Sequence, residues 1–242
     1  KADENALRVT NTAQAALTGV TIQKLQGDTS STENSDFYGQ NAGFLATDGA
    51  QAALTAVSVT TAATGGNAVV SYGEGTAVSV TDSTVSTTGD HSGGIHVTGG
   101  GELTAWNVDV ETQGNSSAAI RSDRGGGTLT VEDGSYVTNG TGSPAIYSTA
   151  QIAVTNAVLT ANRSEAIVVE GRNSVTLTDC TVSGNMQGTY GPDSGENLHG
   201  VMLLPKHERR CPGRAEPFPD DGRRAHHPVG GSVLCDQHRL RH

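Results

Sequence analysis

The sequence predicts an all-β chain wound into a stack of similar coils, and three observations carry that reading. A Gly/Ala–apolar step recurs at Gly43-Phe44, Ala68-Val69, Gly94-Ile95, Ala119-Ile120, Ala145-Ile146, Ala166-Ile167 and Gly200-Val201, its apolar members 25, 26, 25, 26, 21 and 34 residues apart. A period of this size marks repeated structural units, each packing on the next. The composition, with 32 Gly in 242 residues and 4% aromatics, favours strands and turns over helices. No window holds a 3.6-residue apolar period, whereas short alternating runs such as Leu103 to Trp106 and Thr128 to Val131 lie between Gly, Asn and Asp.

Each element of one coil follows from its residues. In the unit that begins at Gly94, residues Ile95 to Thr98 form a first strand and Gly99 to Gly101 a corner. Leu103 to Trp106 form a second strand, Asn107 turns the chain, and Val108 to Glu111 form a third. Residues Thr112 to Ser117 then return to the next unit. Three short strands cannot bury a face alone, so each coil needs a copy above and below. The expected inward residues of the first strands are Phe44, Val69, Ile95, Ile120, Ile146, Ile167 and Val201, and those of the third strands Val85, Val110, Val137, Leu159 and Val182. All are apolar. The second corner reads Asp82, Asn107, Asp133, Asn156, Asp179, and short Asx side chains tolerate the left-handed backbone that a tight corner requires. Stacked about 4.8 Å apart, they are placed to form a side-chain ladder.

Units of 21–26 residues with three strands, a Gly corner and an Asx corner resemble the right-handed parallel β-helix of the pectin-lyase-like superfamily, over about Ala6 to Leu203. The Gly/Thr-rich, acidic, cysteine-poor version is similar to β-helical domains of bacterial surface proteins and adhesins. The resemblance implies an all-β, right-handed solenoid of about seven coils, secreted or held on a bacterial cell surface. It further implies a non-catalytic adhesin-like or carbohydrate-binding role, with a polysaccharide or a host or cell-surface glycan as partner. The alternative within the same superfamily is a polysaccharide lyase or glycoside hydrolase.

A boundary falls after residue 203. Residues 1–203 hold 7 Lys/Arg and 20 Asp/Glu, net −13, while residues 204–242 hold 8 and 5, net +3, with 5 of the 7 Pro and 5 of the 8 His. The repeat domain is therefore assigned to 1–203 and an atypical basic Pro/His/Arg-rich tail to 204–242. When the tail codons are read one base along, they permit strings such as T-G-G-E-L-T, the signature of Gly100 to Thr104. The tail thus reads as frame-shifted, non-native sequence, and the natural solenoid is expected to continue. Cys211, His226, His227, Cys235 and His238 match no familiar zinc spacing.

The acidic repeat domain excludes a nucleic-acid binder, which needs a basic stripe. No apolar run is long enough for a membrane span. Cys180 is the one cysteine of residues 1–203, so disulfides do not hold the coils. No catalytic residue, cofactor or metal site is indicated; calcium would need clustered carboxylates, and only Asp123 stands near Arg121 and Arg124.

The candidate binding residues lie on the outward side of the first strands: Tyr72, His96, Arg121, Asp123, Tyr147 and Glu170. Rings and charged groups mixed on a flat sheet suit a sugar, with Tyr147 and Arg121 carrying most of the contact. Against this stands an ordinary solvated face whose Arg121–Asp123 neighbours contribute little. A row of Thr18, Thr55, Ser79, Thr104, Thr130 and Thr176 is expected on the outside of the second strands. Two longer loops, Gly27 to Gln40 with Asp36, Phe37 and Tyr38, and Gly184 to Leu198 with Tyr190, Asp193 and Glu196, are expected to flank a groove.

Overall fold

The computed structural model describes residues 1–186, 200–204 and 231–236. The chain is a parallel β-solenoid. Its first coil is β1 (Leu7–Val9), β2 (Gln14–Thr18) and β3 (Thr21–Lys24), followed by one short helix, α1 (Thr32–Tyr38). The second coil is β4 (Phe44–Thr47), β5 (Gln51–Thr55) and β6 (Ser58–Thr61). In the next three coils the second and third strands merge around the Asx corner: β7 (Val69–Tyr72) with β8 (Ala77–Thr87), β9 (Ile95–Thr98) with β10 (Gly101–Thr112), and β11 (Ile120–Ser122) with β12 (Gly127–Thr138). They separate again in β13 (Ile146–Ser148), β14 (Gln151–Thr155) and β15 (Val158–Ala161), then β16 (Ile167–Glu170), β17 (Asn173–Thr178) and β18 (Thr181–Gly184). Strands β19 (Val201–Leu204) and β20 (Gly231–Asp236) extend the two long sheets, β20 from within the basic tail.

The first-strand sheet therefore runs eight strands deep, from β1 to β19, against the seven repeated steps. The extra rung is β1, whose Leu7 pairs with Phe44 across 37 residues because α1 is spliced into that coil and breaks the period. The rungs from β4 to β13 pair as the 25- and 26-residue spacings require, with Phe44, Val69, Ile95, Ile120 and Ile146 in one column and all fully buried.

Two rows stand differently from the expected ones. In the third-strand column Val110 pairs with Tyr136, and Tyr136 with Leu159, so Tyr136 points inward where Val137 was expected; Val137 is only half-buried. Counting three residues from each Asx corner gives the correct column, because the corner sets the phase of the strand that follows. On the second sheet Thr55 pairs with Thr81, so Thr18 and Thr55 belong to the row of Trp106 and Glu132. Thr104 and Thr130 share a row with Ala53 and Ser79 instead.

The corners behave as their residue types dictate. Asp82, Asn107, Asp133, Asn156 and Asp179 all take positive φ, between 49° and 61°. Asn107 Nδ2 donates to Asp82 Oδ1 at 2.7 Å, and Asn156 Nδ2 donates to Asp133 Oδ1. Alternating Asp and Asn supplies a donor between carboxylates that stacking would otherwise set face to face. Ala56 fills the same place in its coil at φ 51°, without that help.

The return loops are held by a device that the apolar pattern does not announce. Thr87 Oγ1 and Thr112 Oγ1 each donate to a carbonyl five residues on, those of Ser92 and Ser117, at 2.6 Å. Thr138 does the same to Ser143. The serines then link coils: Ser92 N–H donates to Ser117 Oγ and Ser117 N–H to Ser143 Oγ, both at 2.9 Å. These Thr and Ser side chains are fully buried, so each Thr hydroxyl needs the carbonyl of its own loop and each Ser hydroxyl the N–H that the preceding coil provides.

Two stability measurements check this account. Tyr136 is fully buried and its hydroxyl has no hydrogen-bond partner among the described residues, so Tyr136→Phe is expected to raise stability by about 1 kcal/mol in urea unfolding; a loss of similar size means that the hydroxyl is satisfied. Ala56→Asn is expected to raise it by about 1 kcal/mol, since Asn accepts the left-handed backbone and adds a rung to the ladder beside Asp82. A fall in melting temperature would remove the corner argument.

Candidate functional site

The outward row of the first-strand sheet has the register that the repeats imply. Leu45, Val70, His96, Arg121, Tyr147 and Val168 pair in succession from β4 to β16. Tyr72 ends β7, Asp123 follows β11, and Glu170 ends β16. The six candidate residues therefore do share one sheet.

The middle of that face is not solvated. His96 is 0% exposed, Arg121 8% and Asp123 8%, because the strap formed by residues 27–41 lies across them. Its helix forms locally: Ser31 caps the first turn by accepting the Asn34 N–H at 3.2 Å, and Gly39 ends it at φ 67°. Gly39 also sits where a Cβ would lie 2.6 Å from Leu45 Cδ1 and 2.9 Å from Val70 Cγ1, so a larger residue would lift the helix from the sheet. Leu45, Val70 and Ala42 form a small apolar cluster there, with Tyr72 against its edge.

Polar contacts complete the docking. Ser35 is buried and donates to the Gly65 carbonyl, while Asn67 Nδ2 donates to the Ser35 carbonyl at 3.3 Å. Thr98 Oγ1 donates to the Phe37 carbonyl at 3.0 Å. The Arg124 guanidinium lies 4.1 Å from the centre of the Phe37 ring. Tyr38 meets Tyr72 edge to face at 5.6 Å, and Tyr38 remains 47% exposed.

Beneath α1 the charges converge on Arg121. Its Nη2 lies 2.9 Å from Asp36 Oδ2 and its Nε 2.8 Å from Asp123 Oδ2, while His96 Nε2 stands 3.7 Å from the same Asp123 oxygen. The Arg121–Asp123 pair is thus a buried pair of a three-residue network, not the exposed neighbours of a solvated face. Burial alone would lower the Arg121 guanidinium, but Asp123 and Asp36 together hold it above its ordinary value. Burial pushes the Asp123 carboxyl up to about 6, against the pull of Arg121. Burial, aided by the charge of Arg121, holds His96 well below its ordinary value, so the ring is neutral. Tyr147 is half-buried, not the exposed ring expected, and its hydroxyl is raised by burial and by Glu170 beside it.

The sequence placed Tyr72, His96, Arg121, Asp123, Tyr147 and Glu170 together but missed their neighbour Asp36. Asp36 lies 85 residues before Arg121 in the chain and reaches it only because the strap folds back along the solenoid axis. Of the second loop, Tyr190, Asp193 and Glu196 lie outside the described residues, as do Cys211, His226, His227 and His238 of the tail. Elsewhere, the second sheet carries a trough of about 520 Å³ lined by Gln51, Ala53, Ser79, Glu102 and Thr104. Among the described residues no helix is long and apolar enough to cross a membrane. No family model, curated protein or solved structure matches the chain.

The cluster sets a pH dependence. His96 stays neutral in the fold but takes a proton in the unfolded chain below about 6.5, so stability drains as pH falls through that value. Asp123 works in the opposite sense: raised from 3.8 to about 6, it binds its proton more tightly when folded and adds stability as pH falls toward 4. His96→Gln removes the first effect and keeps the second. Its melting temperature is expected to gain on the wild type as pH falls from 7.5 to 5, the wild type losing up to about 1.4 kcal/mol per pH unit from this group. Parallel melting profiles would contradict the buried neutral His96.

Proposed function

We propose that this chain is a non-catalytic, carbohydrate-binding β-helix of the adhesin type, secreted or displayed on a bacterial surface, with a polysaccharide or cell-surface glycan as its partner. The observation that carries this reading is the ledge where α1 meets the first-strand sheet. There Tyr38, Tyr72 and Phe37 present ring faces and edges beside the exposed guanidinium of Arg124, all on a backbone fixed by stacked coils. Rings offer stacking surface to the apolar faces of sugars, and a guanidinium fork offers donors to their oxygens. Tyr147 and Glu170 continue the polar row beyond the helix. The acidic solenoid and its scarcity of cysteine are consistent with an extracellular setting.

The second reading, a polysaccharide lyase or glycoside hydrolase, is favoured by one observation. Asp123, raised to about 6 beside Arg121 and a neutral His96, is the kind of perturbed cluster that catalytic sites share. The strap that buries this cluster weighs for binding over catalysis, since the groups that would do chemistry are out of contact with solvent.

A glycan array separates the two. Wild-type protein is expected to retain specific glycans, with Tyr38→Ala and Tyr72→Ala each weakening binding roughly three- to tenfold and no sugar released on incubation. Release of unsaturated or reducing sugar would transfer the case to the enzyme. A silent array from folded protein would leave a structural stalk.

A further inference from the structure

We infer that the strap of residues 27–41 is a lid over a second ligand site on the first-strand sheet, and that Asp36 occupies at Arg121 the position of a carboxylate carried by that ligand. The proposal concerns the covered cluster and does not require glycan binding, but Phe37 and Tyr38 of the ledge ride on the strap, so an open lid takes the ledge apart.

The Asp36–Arg121 pair is only half made. Arg121 Nη2 reaches Asp36 Oδ2, yet among the described residues neither Arg121 Nη1 nor Asp36 Oδ1, both buried, has a partner. A guanidinium and a carboxylate that are free to align make two parallel bonds. Asp36 is held in a capped helix and aligns for one. The same enclosure leaves both ring nitrogens of the fully buried His96 without a hydrogen-bond partner among the described residues. Buried polar groups are nearly always satisfied, so this face carries hydrogen-bonding capacity that the strap does not use. An untethered carboxylate could take the full Arg121 fork, with the His96 ring and the Asp123 carboxyl beside it as further polar contacts.

The strap is also built to leave. Its helix belongs to neither long sheet and contributes no rung to the stack, so lifting it breaks no strand pairing; what must break are the Thr29 N–H bond to the Thr64 carbonyl at 3.0 Å and the side-chain bonds of Asp28, Ser35 and Asn41 to the next coil. Gly27 at φ 86° opens the strap and Gly39 at φ 67° ends its helix, two places where the backbone can change course without a Cβ penalty. The titratable groups around Arg121 are Asp36 of α1, His96 of β9, Asp123 after β11 and Tyr147 of β13, with Glu170 of β16 beside Tyr147; all but Asp36 stay with the sheet when the strap lifts.

Acylation of His96 by diethyl pyrocarbonate, read by peptide mass spectrometry, tests the lid. His91, half-buried at a different corner, is the internal reference, and hydrogen exchange in β10 and β12 reports that the solenoid is intact. Asp36→Asn is expected to speed His96 acylation about tenfold or more, with His91 and the β10–β12 exchange unchanged. In the wild type, acetate is expected to speed it relative to chloride at equal ionic strength, because acetate competes with Asp36 for Arg121. Glucuronate and N-acetylaspartate then show whether a sugar or a peptide delivers the carboxylate better. If His96 reacts at one rate in the wild type, in Asp36→Asn and in acetate, the strap is a fixed part of the fold and the proposal fails. If Asp36→Asn opens the strap but no carboxylate does, the ligand half is refuted.

Discussion

Each strand residue of the described coils is constrained by the residue one coil above it. Parallel strands about 4.8 Å apart bring equivalent side chains into contact, so whatever a coil places inside must be tolerated by its own near-copy. Aliphatic residues meet that demand trivially, and Val69, Ile95, Ile120 and Ile146 stack as one buried column. Charged residues do not, since identical charges would face each other. The corner therefore alternates Asp and Asn, and the buried return loops use neutral Ser and Thr that can both donate and accept.

Departures from the repeat are consequently where something other than stacking is at work. Tyr136 is a structural departure, a phenol in a column of Val and Leu whose hydroxyl has no partner among the described residues. The row of His96, Arg121 and Tyr147 is a different kind of departure. Three consecutive coils put dissimilar polar groups on a face where the two coils just before them carry Leu45 and Val70. The strap follows that division. Gly39 packs on the apolar end of the row, and Asp36 supplies the countercharge at the polar end.

Among the described residues, a rigid ladder with one non-repeating segment docked across it separates two tasks. The coils fix the positions of the sheet side chains, while the strap decides which of them meet solvent. Tyr72 and Arg124 stay at its margin and His96 and Arg121 lie beneath it, although all four belong to neighbouring coils of similar local structure. Local environment, set by one short helix, is what makes Asp123 an acid of about 6 in place of an ordinary surface carboxylate.

Residue order was enough to reveal the coil, its period, the apolar columns, the left-handed Asx corners and the grouping of Tyr72 with His96, Arg121, Asp123, Tyr147 and Glu170. All of these are properties of a repeat, and a repeat is visible as recurrence along the chain. Where the count was off, as at Val137 against Tyr136, the cause was a phase set by the corner and not by the apolar pattern. The strap was legible as an insertion but not as a cover. Its ion pair joins residues 36 and 121, which no local periodicity relates, and the burial of His96 and Arg121 exists only once the loop of the first coil has crossed the sheet. Which polar residues face water is decided by a contact between distant parts of the chain, and only the folded solenoid contains it.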